Sequence, residues 1–229
     1  MKELRRIVMR KLFSIMVVAL LLLAAVGSAS ASGTVTGYVV HGIPGLVVDV
    51  YVDGRLFVKN FAPETIAGPL VGPANRSAYV AIVPAGGDPS NPALAATVSF
   101  PPGANFSVVA HLDANGAPTL SIFDNDFSKT SAARLIARHT AAAPAVDALF
   151  FPGTSDELRV GPLANGQQAV ADLTPGSYTA GLVPTGTSDI VYGPFSANLQ
   201  SGKAYIVYAI GSLADGTFKT ITQVVNVGY

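Results

Sequence analysis

The feature that most constrains this fold is an internal duplication, because the same landmarks occur twice in the same order. Val40-His41 precedes Val48-Asp49, and Arg138-His139 precedes Val146-Asp147, so His and Asp are eight residues apart in both copies. Later landmarks repeat at offsets of 99 or 100 residues: Ile82–Gly86 with Leu182–Gly186, Pro102–Phe106 with Ser201–Tyr205, and Ala114–Gly116 with Ala214–Gly216. The chain is therefore a tandem repeat of a unit of about 95 residues, a typical size for a small domain.

Within each copy the apolar residues follow the two-residue period of a β-strand. Val48, Val50 and Val52 alternate with polar or aromatic residues, and Asp53-Gly54 then forms a hairpin-type turn. Turn signals recur every 8–12 residues, which is the spacing of a β-sandwich. Ser131 to Arg138 is the one helix-like stretch after the first 31 residues, but Arg134 to Arg138 aligns with Gly37 to Val40 of copy one, so we predict a strand there.

The pattern predicts an all-β protein with two tandem sandwiches of about seven strands each. The copies span residues 33–127 and 133–229, and the polar stretch Asp124 to Ser131 joins them. Half of the 229 residues are hydrophobic and only 12% are charged, so each copy has enough apolar surface for a core of its own.

The first 31 residues have the order of a secretory signal peptide. Five basic residues precede the apolar run Leu12 to Val26, and Ala29-Ser30-Ala31 offers a cleavage site before Ser32. The run is short for a membrane span, which needs about 20 residues. We expect a cleaved leader, an exported chain and no membrane span in the mature part; an uncleaved anchor is the alternative.

Charge and cysteine content exclude several functions. Without the leader the chain has nine Lys/Arg and 13 Asp/Glu, a net charge of −4 without a basic stripe, so nucleic acid is not an expected partner. The absence of Cys excludes a disulfide scaffold, a thiolate metal site and a Cys nucleophile.

The motifs around His41 and the segment Val48 to Gly54 resemble a secreted bacterial family known only as a domain of unknown function, number 4397. Copy two keeps His139, Ala143 to Asp147, Leu173 to Tyr178 and Gly202 to Tyr205 of the family pattern. It departs from the pattern at Ala148 to Gly153, and copy one departs at Gly72 to Ser77. The resemblance covers residues 35–229 and implies tandem immunoglobulin-like sandwiches in the envelope or medium, with no known reaction.

The repeated pairs His41/Asp49 and His139/Asp147 are the strongest candidates for chemistry. A hydrolase would use Asp to orient His and His to activate Ser, but no repeated Ser and no G-x-S-x-G motif accompanies the pairs. One His and one Asp per copy are too few ligands for a metal. We therefore predict that these four side chains brace loops, and we expect no catalytic, cofactor-binding or metal-binding residue.

Other polar and aromatic features have weaker interpretations. Asp124 to Asp126 could contribute to a calcium site at the joint, although Lys129 and Leu135 stand where an EF-type loop needs Gly and Glu. Asn75 and Asn105 begin glycosylation sequons, which are common by chance. Four tyrosines are candidates for stacking on sugars or for core packing: Tyr51, Tyr178, Tyr205 and Tyr208.

Together these observations predict a secreted or cell-surface, non-enzymatic module that binds a surface protein or glycan through loops at the sandwich ends. A structural spacer in a surface layer or extracellular matrix is the first alternative. A hydrolase that uses the His/Asp pairs is the second. The sequence identifies neither the ligand nor the oligomeric state.

Overall fold

A computed structural model describes residues 33–151 and 153–229. The leader and its cleavage site lie outside these residues. Thr34–Tyr229 form one compact unit of 16 β-strands in four sheets, and the described residues contain no α-helix. The all-β prediction is confirmed, with two tandem β-sandwiches.

The first repeat contains eight strands. They are β1 (Thr34–His41), β2 (Val48–Val52), β3 (Arg55–Phe61), β4 (Thr65–Pro73), β5 (Arg76–Pro84), β6 (Leu94–Phe100), β7 (Asn105–Leu112) and β8 (Pro118–Asp124). They form an outer sheet in the order β3-β2-β5-β6 and an inner sheet in the order β4-β1-β7-β8. The pair β1–β7 is parallel, and the other pairs are antiparallel.

The second repeat also contains eight strands. They are β9 (Ala133–His139), β10 (Val146–Phe150), β11 (Leu158–Leu163), β12 (Gln167–Leu173), β13 (Gly176–Pro184), β14 (Tyr192–Leu199), β15 (Lys203–Ile210) and β16 (Lys219–Asn226). Its outer sheet is β11-β10-β13-β14 and its inner sheet is β12-β9-β15-β16, the topology of the first repeat. Each sandwich thus has eight strands rather than about seven, and Arg134 to Arg138 lie in a strand as predicted.

Local turn chemistry explains several of the connections. Asp53 and Gly54 both have positive φ, 49° and 76°, as the tight turn between β2 and β3 requires. β4 is less obvious, because its sequence TIAGPLVGP contains two glycines and two prolines. Proline is tolerated on an edge strand, where no second neighbour needs its missing N–H, and β4 is such a strand.

Three apolar clusters arrange the sheets in four layers. One cluster lies between the sheets of the first repeat and includes Val39, Val50 and Val108. A second lies between the sheets of the second repeat and includes Leu135 and Phe150. The third joins the two inner sheets across the repeats: Val40, Val109, Phe123, Ile136, Ile206, Tyr208 and Ile210. The two inner sheets are therefore covered on both faces.

This double coverage explains the nearly continuous apolar sequence of the central inner strands. In β7 the six consecutive residues from Phe106 to His111 are buried, whereas the edge strand β4 contains no buried residue. Strands with two buried faces lose the apolar–polar alternation. Within the described part of the chain, no helix is long and apolar enough to cross a membrane.

Candidate functional site

The predicted His/Asp residues of the first repeat lie at one end of the sandwich but in different sheets. His41 ends β1 in the inner sheet, and its Nε2–H donates to the Leu46 carbonyl in the β1–β2 loop at 2.7 Å. Asp49 is in β2 of the outer sheet, and its carboxylate accepts from the backbone N–H groups of Asn60 at 2.7 Å and Gly86 at 2.9 Å. The β1–β2 connection crosses between the two sheets of the sandwich.

The second repeat places its pair at the equivalent positions with partly different partners. His139 Nε2–H donates to the Pro144 carbonyl at 2.9 Å, and the Ala141 N–H donates to His139 Nδ1 at 3.4 Å. Asp147 forms an ion pair with Arg159 at 2.7 Å and accepts from the Thr185 hydroxyl at 3.3 Å. In both repeats, therefore, His contacts the loop between the first two strands and Asp contacts other segments.

Burial and hydrogen bonding shift the pKa values of these groups. Burial lowers the pKa of the His41 and His139 imidazoles, although the bonds to Leu46 and Pro144 oppose the shift. The backbone donors of Gly86 and Asn60 lower the pKa of Asp49. These environments favour neutral imidazoles and an ionised carboxylate. Residues 33–151 and 153–229 contain no group of three His, Asp or Glu side chains that could hold a metal ion.

A buried polar network that the sequence did not reveal joins the two repeats. Arg138 is 1% exposed, yet all of its hydrogen bonds go to neutral acceptors. It donates to Gln168 Oε1 (3.0 Å), Tyr208 Oη (2.9 Å), the Asp124 carbonyl (3.2 Å) and Asn125 Oδ1 (2.7 Å). Its guanidinium also lies 4.8 Å from the ring centre of Phe123, a contact between a cation and a π face. The predicted joint thus contributes Asp124 and Asn125 to the interface.

His111 forms a Ser–His contact in the same interface, near His139 of the second repeat. Its Nδ1–H donates to the Leu112 carbonyl at 2.9 Å, and its Nε2 accepts from the Ser121 hydroxyl at 2.8 Å. In a Ser-His-Asp triad a carboxylate holds the first nitrogen, whereas here a backbone carbonyl does. Burial lowers the pKa of His111, and His139 lowers it further.

The opposite end of the first sandwich contains a cavity of about 540 Å³ between the two sheets. Its wall is formed by apolar side chains and glycines from both sheets: Val35, Gly37, Val39, Val50, Val52, Leu70, Gly72, Val80, Phe100, Phe106 and Val108. Such a volume falls within the roughly 300–1,000 Å³ of ligand pockets, whereas protein cores have few voids larger than a water molecule. This end is formed by the β2–β3 and β4–β5 turns, away from His41 and Asp49.

Charged and exposed apolar residues surround the mouth of the cavity. Asp53, Arg55 and Arg76 line it, and the side chains of Asp53 and Arg76 form an ion pair. Phe57 and Val71 also line it and are 50% and 65% exposed. An apolar surface that continues into a cavity is a common feature of binding sites.

The duplication shows why the first repeat has this space. Strand pairing matches Gly37 with Leu135, Gly72 with Leu173, Val52 with Phe150 and Ala78 with Tyr178. Leu135, Phe150 and Leu173 are at most 6% exposed in the second repeat and pack with Tyr178 in one cluster. Three of these positions, Gly37, Val52 and Gly72, line the cavity and have the smaller residue in the first copy, whereas the lining residues Val39, Val50 and Val80 correspond to the smaller Ala137, Ala148 and Ala180.

Several of the remaining candidate residues take part in core packing or in an ion pair. Tyr178 and Tyr205 pack in the core of the second sandwich, and Tyr208 is fully buried between the repeats. Asp126 lies 3.0 Å from Arg134, an ion pair at the joint. These contacts are typical of packing and of salt bridges.

The comparison with protein families agrees with the motifs. Residues 37–149 match the family model described as "Domain of unknown function (DUF4397)". This match supports that family for the segment. It runs from β1 to β10, so it covers most of the first repeat and the first two strands of the second. Strands β11 to β16 lie outside the match.

Other comparisons add little. No curated protein matches the chain. A crystal structure from Bacteroides ovatus ATCC 8483, provisionally described as that of a cell adhesion protein, overlaps 86% of this chain and 98% of its own at 12% identity and a TM-score of 0.29. A TM-score this low indicates neither a shared fold nor a shared function.

Proposed function

We propose that this protein is an exported, non-enzymatic binding module of the cell surface or medium, and that it binds its ligand in the cavity of the first repeat. The observation that carries the proposal is this cavity of about 540 Å³ with an apolar wall. This space is open to solvent, and apolar surface that continues from the wall to the exposed Phe57 and Val71 favours a binding role.

The two repeats would then have different tasks. The core of the second repeat is filled at the equivalent end. The second repeat also packs against the inner sheet of the first repeat, on the face that points away from the cavity. It would hold one wall of the cavity rigid while the first repeat receives the ligand. Export and the finer, immunoglobulin-like class of the sandwiches come from the leader pattern and the family resemblance.

The positions of the histidines support a role other than catalysis. His41, His111 and His139 are each 1% exposed, and a backbone carbonyl accepts a hydrogen bond from each imidazole. A general base must reach the proton that it removes from a substrate. The cavity, at the end of the first sandwich opposite His41, is lined by none of the three.

Binding of a neutral apolar dye tests the proposal. Nile red fluorescence should show saturable binding to the mature chain, residues 32–229, and Gly72→Leu should abolish it. A Cβ at Gly72 meets only Val35, at 4.0 Å, so leucine can enter the cavity without strain. Gly176→Leu is the matched control, because no atom lies within 4 Å of its Cβ position in the second repeat.

A structural spacer is the second candidate, and the inter-repeat interface favours it. Shared apolar packing and the Arg138 network hold the two sandwiches as one unit. A spacer has no need of the cavity. Nile red binding that is equal in wild type and Gly72→Leu, or absent from both, would therefore reject the binding role and favour the spacer.

A further inference from the structure

From the chemistry of the cavity wall and mouth, we infer that the ligand is a single-chain amphiphile with one carboxylate head. Its hydrocarbon tail occupies the cavity, and its head lies at Arg55 and Arg76. This inference rests on the proposed function, since it names the ligand class of the same site.

The wall selects an apolar tail over a sugar or a peptide backbone. Its polar side chains are the three charged residues of the mouth and Tyr38. The Tyr38 ring packs edge-on against Phe127, with the ring centres 6.2 Å apart, in the cluster between the repeats. A sugar hydroxyl or a peptide amide that enters such a space loses its hydrogen bonds to water without replacement. A hydrocarbon chain has no polar group to desolvate.

The mouth selects a negative head. Arg55, Arg76 and Asp53 together carry one net positive charge, while the chain after the leader has a net charge of −4. The Asp53 carboxylate is already engaged by Arg76 and by the Tyr79 N–H, the latter at 2.9 Å. The side chain of Arg76 remains 38% exposed, and guanidinium groups bind carboxylates through two parallel hydrogen bonds.

The exposed rim fits the part of the chain between head and tail. Phe57 from β3 and Val71 from β4 lie on the two edge strands that flank the opening. Both residues line the cavity together with Asp53, Arg55 and Arg76. An amphiphile would cover both side chains and keep its carboxylate in contact with water and arginine.

Calorimetric titration of the mature chain with dodecanoate and with dodecanol, below their aggregation concentrations, tests the inference. Dodecanoate should bind about tenfold or more tightly than the alcohol of the same length, because a charged hydrogen bond is lost with the alcohol. Affinity should rise about fourfold per methylene from octanoate to dodecanoate, as expected for burial of each CH₂ group.

Variants separate the head from the tail. Arg55→Gln should weaken dodecanoate binding about tenfold and leave dodecanol binding unchanged. Lys203→Gln is the charge-matched control in the second repeat and should change neither affinity. Gly72→Leu should abolish the binding of both ligands.

The outcomes distinguish this inference from the proposed function. If dodecanol binds as tightly as dodecanoate and Arg55→Gln has no effect, the carboxylate inference is wrong while the cavity remains a binding site. If dodecanoate binding survives Gly72→Leu, the tail lies elsewhere and the inference is overturned. If neither amphiphile nor Nile red binds, the proposed function fails as well.

Discussion

Gly72 and Leu173 occupy equivalent positions in the two repeats, where Gly72 pairs with Val35 of β1 and Leu173 pairs with Ala133 of β9. Leu173 is 6% exposed and belongs to the core of the second sandwich, whereas Gly72 lines the cavity of the first. The presence of a leucine side chain at this position in the second repeat, and its absence in the first, thus contributes to the difference between a filled core and an open one. Its effect on the free energy of unfolding can be measured.

We predict that Gly72→Leu stabilises the protein and that Leu173→Ala destabilises it. Leucine at position 72 fills unused space, a change that commonly adds about 0.5–2 kcal/mol to the free energy of unfolding. Removal of the buried Leu173 side chain should cost about 2–5 kcal/mol. Urea unfolding of both variants and wild type measures the differences, and destabilisation by Gly72→Leu would mean that the cavity cannot accept the side chain.

We predict that Tyr208→Phe weakens the contact between the repeats. The Tyr208 hydroxyl accepts from Arg138 Nη1 at 2.9 Å and donates to Ser107 Oγ at 3.1 Å, so its loss removes the acceptor of a buried guanidinium N–H. The expected cost is about 1–3 kcal/mol, measured by urea unfolding. Tyr51→Phe in the outer sheet is the matched control and should change the stability by less than about 0.5 kcal/mol. An equal effect of the two variants would count against the network.

We propose that His41 and His139 brace their loops, and we predict that each His→Ala variant loses about 1–3 kcal/mol of stability. His139 should cost more, because both of its ring nitrogens have partners, whereas His41 Nδ1 has none within the described residues. The double variant should show nearly the sum, since distant sites add. Thermal melts of the three variants decide; unchanged melting temperatures would contradict bracing and revive a role in function.

Stability should fall as the pH drops from 8 to 5. Burial lowers the folded-state pKa of His41, His111 and His139 below the ordinary value of about 6.5, so the unfolded chain binds more protons. The stability gained from keeping these imidazoles neutral is complete above about pH 6.5. It is lost as the pH decreases toward the folded-state pKa values, by up to about 1.4 kcal/mol per pH unit for each histidine. Melting temperatures across this range test the sign.

His111→Gln provides the control for this pH dependence. It keeps a polar group between Leu112 and Ser121 but cannot titrate, so the fall in stability should become shallower by up to one proton. A melting temperature of the wild type that is constant from pH 8 to 5 would show that the buried imidazoles do not couple to folding.

The leader pattern predicts that the exported chain begins near Ser32. Mass spectrometry of the protein recovered from the medium or envelope should find this N-terminus. Replacement of Ala31 by a bulky residue such as Gln should block cleavage, because the processing site accepts small side chains. An intact N-terminus on material recovered from the cytoplasm would contradict export.

Local sequence information was sufficient for the fold class and the repeat. Alternation in Val48 to Val52, the Asp53-Gly54 turn and the repeated landmarks depend on neighbouring residues, so the strands and the duplication are visible without any contacts. The number of strands was less accessible, because glycines and prolines in β4 hide a strand whose exposed edge tolerates them.

The position of His41 at the end of β1 and of Asp49 near the start of β2 also followed from the sequence, but their partners did not. Asp49 bonds Gly86, which lies 37 residues away, and Arg138 bonds Tyr208 across 70 residues. Such long-range pairs form only when the strands assemble into sheets and the sheets stack. The period of a strand shows which side chains share a face, but not which other strand or sheet that face contacts.

The sequence by itself determined that two similar β-sandwiches follow each other, since that information is local and periodic. Only the tertiary structure decided that the inner sheets pack against each other and that a cavity opens in the first repeat. A cavity depends on the summed volumes of side chains that meet from several strands. The small residues Gly37, Val52 and Gly72 are far apart in the sequence and acquire this meaning only when the two sheets bring them to one space.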